Sequence, residues 1–152
     1  MLLLGLWFSG PLDTPEKIGW WEESHIWYTA DPKDIWQSPE ETLRLKKGDC
    51  EDFAILAQYY LKQIGMESQI VVFTMHIDDK CKGHGICVFK ENGKYNYIGT
   101  EGYKDLQCNT IREVCDYSAR ITVGAEKAIE VYIFTDRDVQ SRIQKDLQKE
   151  RT

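Results

Sequence analysis

One stretch constrains the fold more than any other: residues 49–65, where a capped helix with an apolar stripe opens on a cysteine and runs directly into strand-like sequence. Asp49 suits an N-cap and Gly65 a stop. At about 100° per residue, Cys50, Phe53, Ala54, Ala57, Tyr60, Leu61 and Ile64 share one stripe. Glu51, Asp52, Gln58, Lys62 and Gln63 point away from it and are expected on the solvent side. Beyond Gly65 the period changes. Residues 69–75 are β-branched and aromatic and read as a strand, and residues 77–83 read as a polar loop. Asn92-Gly93, between strand-like runs at 84–90 and 94–101, is the strongest short signal for a hairpin. This order predicts an α+β fold, a central helix carrying Cys50 packed on an antiparallel sheet.

The flanks are read by the same rules. Ser38-Pro39-Glu40-Glu41 is a helix start, with an end expected near Lys46-Lys47 and Gly48 as the stop. A short helix at 110–117, a strand at 129–135 and a terminal helix at 138–149 complete the elements. All five Trp and all four Pro lie in the first 39 residues. Residues 1–39 are therefore expected to be a loop-rich aromatic arm wrapping the remainder, with Met1 to Phe8 as a first strand or packing arm. No linker composition separates this arm, so residues 1–152 are expected to form one domain with its catalytic core at 49–101.

Composition excludes several classes. A formal charge of −6 without a basic block outside the solvated C-terminal helix argues against nucleic acid as a partner. The first eight residues lack a basic start and are too short to span a bilayer. The five cysteines, at 50, 81, 87, 108 and 115, are odd in number and show no disulfide spacing. A reducing, cytoplasmic setting and a monomer are the resulting expectations.

With Asp49 as cap, Cys50 sits in the first helical turn, where free N–H groups and the helix dipole favour a thiolate. The same groups can hold an oxyanion. Asp49, Glu51 and Asp52 oppose this by their charge, so a base is needed, and histidine suits the task. Of His25, His76 and His84, the last follows Gly83 and precedes Gly85, which lets other groups approach its ring. Counting back from the Asn92-Gly93 turn pairs His84 with Glu101, which can then orient the imidazole. Cys81-x-x-His84-x-x-Cys87 has ligand-like spacing, but in a strand Cys87 faces away from His84, so zinc is not expected.

Residues Trp36 to Leu43, then Gly48-Asp49-Cys50-Glu51-Asp52-Phe53-Ala54, then His84-Gly85-Ile86-Cys87-Val88, resemble the signature of bacterial transglutaminase-like cysteine peptidases and the wider transglutaminase core. The resemblance spans about residues 27–103. It implies a papain-like fold and a Cys-His-Asp mechanism, with Cys50 as nucleophile and His84 as base. Gln37 and Trp36 then fall at oxyanion or substrate positions. Where such chains carry Asp, this one has Gly99, so Glu101 is the expected third residue or the site is weakened. No cofactor is required. Asp49 and Glu51 match positions that bind calcium in some relatives, against the simpler reading of a cap and a solvated charge.

The expected function is a thiol hydrolase acting on a peptide, isopeptide or amide bond of a protein or peptide substrate. The alternatives are an amine-transferring transglutaminase, or a catalytically weakened binding or structural module. The cluster of Trp20, Trp21, Trp27 and Trp36 is a candidate substrate groove, with packing onto the central helix as the default.

Overall fold

The computed structural model describes residues 10–150. The expected strand or arm at Met1 to Phe8 lies outside them. Five helices and seven strands follow in the order α1 (Pro15–His25), β1 (Trp27–Tyr28), α2 (Pro39–Leu45), β2 (Lys47–Gly48), α3 (Cys50–Gln63), β3 (Ser68–Ile77), β4 (Lys80–Glu91), β5 (Lys94–Gly99), β6 (Gly102–Cys108), α4 (Ile111–Val123), β7 (Val131–Phe134) and α5 (Asp136–Glu150). The main sheet has the order β6-β5-β4-β3-β7, with every neighbouring pair antiparallel. The fold is α+β, with α3 as the central helix.

Side chains alternate across this sheet with period two. Ile70, Cys87, Phe89 and Ile98 face α3, with Ile18 of α1 and Val139 and Ile143 of α5 in the same core. Val71, Phe73, Met75, Ile86, Val88 and Tyr97 face the opposite way and pack on Val114, Cys115 and Ala119 of α4. The first two turns of α3 are buried on nearly every side, Ile55 and Leu56 included, because α1 and α2 cover what the sheet does not. That burial goes beyond the single stripe seen in the sequence.

Three expectations about local structure are corrected. The arm contains an 11-residue helix, α1, capped by Thr14 with Pro15 in its first turn, the same arrangement as Ser38-Pro39 at the head of α2. Helix α2 ends at Lys46, which takes a left-handed φ of 56°, and Gly48 instead pairs with Tyr28 in the short parallel ladder β1-β2. Residues 77–83 are not a loop. Asp78 and Asp79, with φ of 50° and 63°, form a tight turn, and β3 and β4 pair from Ile77 and Lys80 onward. Among the described residues no helix is long and apolar enough to cross a membrane, and all five cysteines are free.

Candidate active site

Asp49 caps α3 in a reciprocal box. Its carboxylate accepts from the Asp52 N–H, and the Asp52 carboxylate accepts from the Asp49 N–H at 3.1 Å. Asp52 also accepts from the Gln37 N–H at 2.8 Å, which pins the loop before α2 to the tip of α3. Asp52 is fully buried and Glu51 is 9% exposed. The expectation that both project into solvent is therefore wrong: the 34–37 loop and β4 close over the helix tip, which helical periodicity alone does not reveal.

Cys50 is nearly buried, and its thiol donates to Glu51 Oε2 at 3.0 Å. Burial, then the charge and hydrogen bond of Glu51, push the thiol far above the usual cysteine range, and Asp49 adds to this. The Gly85 N–H, facing the sulfur, works in the opposite direction. The cysteine thus lies against the β4 backbone at Gly85, while the neighbouring His84 ring packs on Phe73 and faces Glu101; the structure shows no hydrogen bond between Cys50 and His84. Close approach there requires glycine: a Cβ on Gly85 would stand 3.0 Å from Glu51 Cγ and 3.3 Å from its Cα. Gly85→Ala is expected to destabilise the fold by about 1–3 kcal/mol, read as a lower urea midpoint, because helix backbone and not a flexible tip must move.

Glu101 lies beyond the end of the β4-β5 ladder, whose last β4 partner is the pair Cys87 and Ile98. The expected cross-strand pairing of His84 with Glu101 is therefore not formed as a ladder pair. The chain turns at Thr100-Glu101, yet the carboxylate still lies 3.6 Å from His84 Nε2. It occupies the space in front of Gly99, where a Cβ would meet Glu101 Oε2 at 3.0 Å. Four hydroxyls donate to it: Tyr97 at 2.5 Å, Ser118 at 2.9 Å and Thr122 at 3.3 Å to Oε1, and Thr100 at 3.1 Å to Oε2. Burial alone would raise its pKa, but His84 and then Tyr97 more than reverse that and hold it at about 2. Phe73 packs edge-on against the His84 ring, with centroids 5.6 Å apart.

The tryptophans do not form one groove. Trp36 is 3% exposed, packed on Phe134 with the Arg142 guanidinium 4.8 Å above its ring. Trp36, expected at a substrate position, is therefore buried in that packing and not exposed. Trp21 stacks on His25, and Trp27 is 78% exposed on β1. Gln37 is half-buried beside α3, its side-chain oxygen accepting from Thr42 at 3.2 Å.

Asp34, which the sequence does not single out, joins Asp49 and Glu51. One carboxylate oxygen from each lies within 4.8 Å of the others. Arg142 from α5 already holds Asp34 Oδ2 at 2.9 Å. Burial, then Asp52 and Glu51, drive the Asp49 pKa well up. An acid with a raised folded pKa binds more protons folded than unfolded, so stability should fall as pH rises above the ordinary carboxylate value of about 4. Asp49→Asn, which keeps a capping side chain, should flatten that decline in thermal midpoint; an unchanged slope would refute the assignment.

A family model described as a transglutaminase-like domain matches residues 8–104. The chain belongs to this family. A UPF0252 protein of Archaeoglobus fulgidus is 29% identical over 117 residues, which cover 69% of this chain and 36% of that protein. The chain thus spans little more than a third of that relative. LapG of Legionella pneumophila has a similar fold, with a TM-score of 0.56 at 21% identity over 89% of this chain and 75% of LapG. Calcium-bound LapG gives 0.55 at 18% identity, over 89% of this chain and 77% of LapG. The papain-like arrangement implied by the sequence is thus the transglutaminase-like fold seen here.

Proposed function

We propose that this transglutaminase-like domain is a cysteine hydrolase that cleaves a peptide, isopeptide or amide bond of a protein substrate through an acyl-thioester on Cys50. The observation that carries the reading is the Glu101 carboxylate 3.6 Å from His84 Nε2, held there by four hydroxyls in the space that Gly99 leaves. In this reading Glu101 fixes the His84 tautomer from Nε2 and steadies the imidazolium. His84 takes the thiol proton, and the thiolate attacks the carbonyl carbon, whose oxygen becomes an oxyanion facing the N–H groups at the start of α3. Return of the proton to the departing amine breaks the C–N bond and leaves the acyl-thioester. Water then releases the acid; an amine in its place would give transfer. Gln37, beside the helix tip, is the candidate side chain for further oxyanion support.

The thiol must first leave Glu51, and catalytic hydrogen bonds often tighten only when substrate is bound. A second reading rests on that same contact. With its sulfur bonded to Glu51 and its thiol pKa raised, Cys50 would be inert and the domain a binding module. The two readings differ in alkylation. In the enzyme, iodoacetamide labels Cys50 near pH 7 at least tenfold faster than exposed Cys81, and His84→Ala removes the advantage. Equal rates at all accessible thiols would favour the binding module.

Calcium fits the same cluster. Asp34, Asp49 and Glu51 offer the hard oxygen donors that it takes, and burial makes ionised Asp49 costly without a counter-charge. The calcium-bound LapG neighbour supports this reading. When bound, the ion would supply positive charge beside the thiol. Calcium should then raise both the thermal midpoint and the Cys50 alkylation rate, the latter about tenfold, with reversal by EGTA. Glu51→Gln should speed alkylation without calcium. No response in either readout would remove calcium from the proposal.

A further inference from the structure

A second depression adjoins the site and has no part in the steps above. It has a volume of about 410 Å³ and is lined by Glu23, Ile26, Trp27, Tyr28, Phe53 and Thr100 among others. A larger cavity, about 720 Å³, lies at the far end of α3 around Lys62, Met66 and Ser68. Cys50, His84 and Glu101 do not line the smaller one, but two of its lining residues, Tyr28 and Thr100, connect it to the site. Tyr28 pairs with Gly48, two residues before Cys50. Thr100, also a lining residue, donates its hydroxyl to Glu101 Oε2.

Its walls combine three chemical characters. Ile26 and Phe53, both buried, form an apolar floor with Leu56 beneath. Trp27 and Tyr28 are 78% and 58% exposed, large aromatic surfaces left uncovered beside a reactive centre. At the rim the Glu23 carboxylate lies close over Gly102, where a Cβ on that glycine would meet Glu23 Oε2 at 2.8 Å. No lysine or arginine is among the lining residues; His25, stacked on Trp21, is the one basic side chain there. Apolar floor, aromatic walls and an acid at the rim suit a long aliphatic chain ending in a cation, held by stem burial, cation–π contact and charge.

We propose that this depression is a specificity pocket for a basic side chain, arginine or lysine, of the peptide substrate, next to the bond that Cys50 attacks. This rests on the hydrolase reading for its role, but the binding itself can be tested apart from turnover. Full-length Cys50→Ala protein is titrated with a blocked dipeptide amide carrying arginine, and with its citrulline counterpart, which has nearly the same shape and no charge. Binding is followed by tryptophan fluorescence and by amide chemical shifts.

The arginine peptide is expected to bind at least tenfold more tightly, with shifts centred on Trp27, Tyr28 and Thr100. Glu23→Gln, a conservative change at an exposed position, is expected to abolish the difference. Equal binding of the two peptides, or shifts centred on residues 62–69 instead, would overturn the proposal. In the active protein, arginine substrates should then exceed citrulline ones in kcat/KM by the same factor. If charge-selective binding is found without turnover, the hydrolase reading fails and the pocket stands. If turnover shows no preference for a basic side chain, the pocket fails and the hydrolase stands.

Discussion

Cys50→Ala is expected to abolish turnover of a peptide amide, and His84→Ala to lower kcat/KM by at least about 10³, leaving only what binding and oxyanion contacts supply. The double variant should be scarcely worse than either single one, since a nucleophile and its base act as a unit. His84 is 6% exposed, so a stability control is needed. His84→Gln, closer in size, should keep a near-native urea midpoint while losing the same activity. Retention of activity within tenfold in the folded His84→Gln protein would reject His84 as the base.

The second large effect concerns Glu101. Glu101→Gln preserves the acceptor that Tyr97, Ser118 and Thr122 address, but it can present an N–H where His84 Nε2 now faces a carboxylate. The imidazole then favours the wrong tautomer, and kcat should fall by about 10² to 10⁴. Geometry offers a rescue. Because the carboxylate fills the room in front of Gly99, Gly99→Asp should restore at least tenfold of the activity lost in Glu101→Ala, where that room is vacated. Adding Gly99→Asp to the unaltered Glu101 should instead be harmful, two carboxyl groups competing for one place. Failure of the rescue in a well-folded double variant would mean that Glu101 serves the fold and not His84. The folded pKa of about 2 also has a pH consequence. A depressed carboxylate contributes stability that is fully present above its unfolded value, about 4.3, and is lost as pH falls through 2.

The parts of this site that the sequence revealed are those fixed by nearby residues. Cap, stripe and stop all lie within 49–65, so the helix and the place of Cys50 at its start could be read directly. The Asn92-Gly93 turn fixes the β4-β5 register as far as Cys87 and Ile98, but the strand ends at Gly99, and Glu101 comes near His84 through a turn that the count does not contain. What was missed depends on contacts between distant segments. Asp52 is buried because Gln37 docks on it, and Asp34 reaches the cluster on a loop clasped by Arg142, 108 positions away. Two of the four hydroxyls on Glu101 come from α4, where Ser118 and Thr122 look like ordinary helix-surface residues in a linear reading. Helix α1 is a different case. Its Thr14-Pro15 start is of the same kind as Ser38-Pro39, but the density of tryptophan and proline around it leads to a loop-rich expectation in which no helix start is read.

The ties that run from the end of the chain back to its beginning bear on where this unit can be divided. Asp146, fully buried in α5, accepts from the Trp36 N–H at 2.9 Å and is itself held by Arg142 and Lys149. The stretch shared with the family ends at residue 104, ahead of both α4 and α5. A fragment trimmed to that shared stretch would keep Cys50, His84 and Glu101 but lose the Ser118 and Thr122 hydroxyls on Glu101 and the Asp146 and Arg142 ties on the loop before Gln37. Part of what holds these side chains in place therefore lies outside the shared stretch, so any trimming should keep α4 and α5.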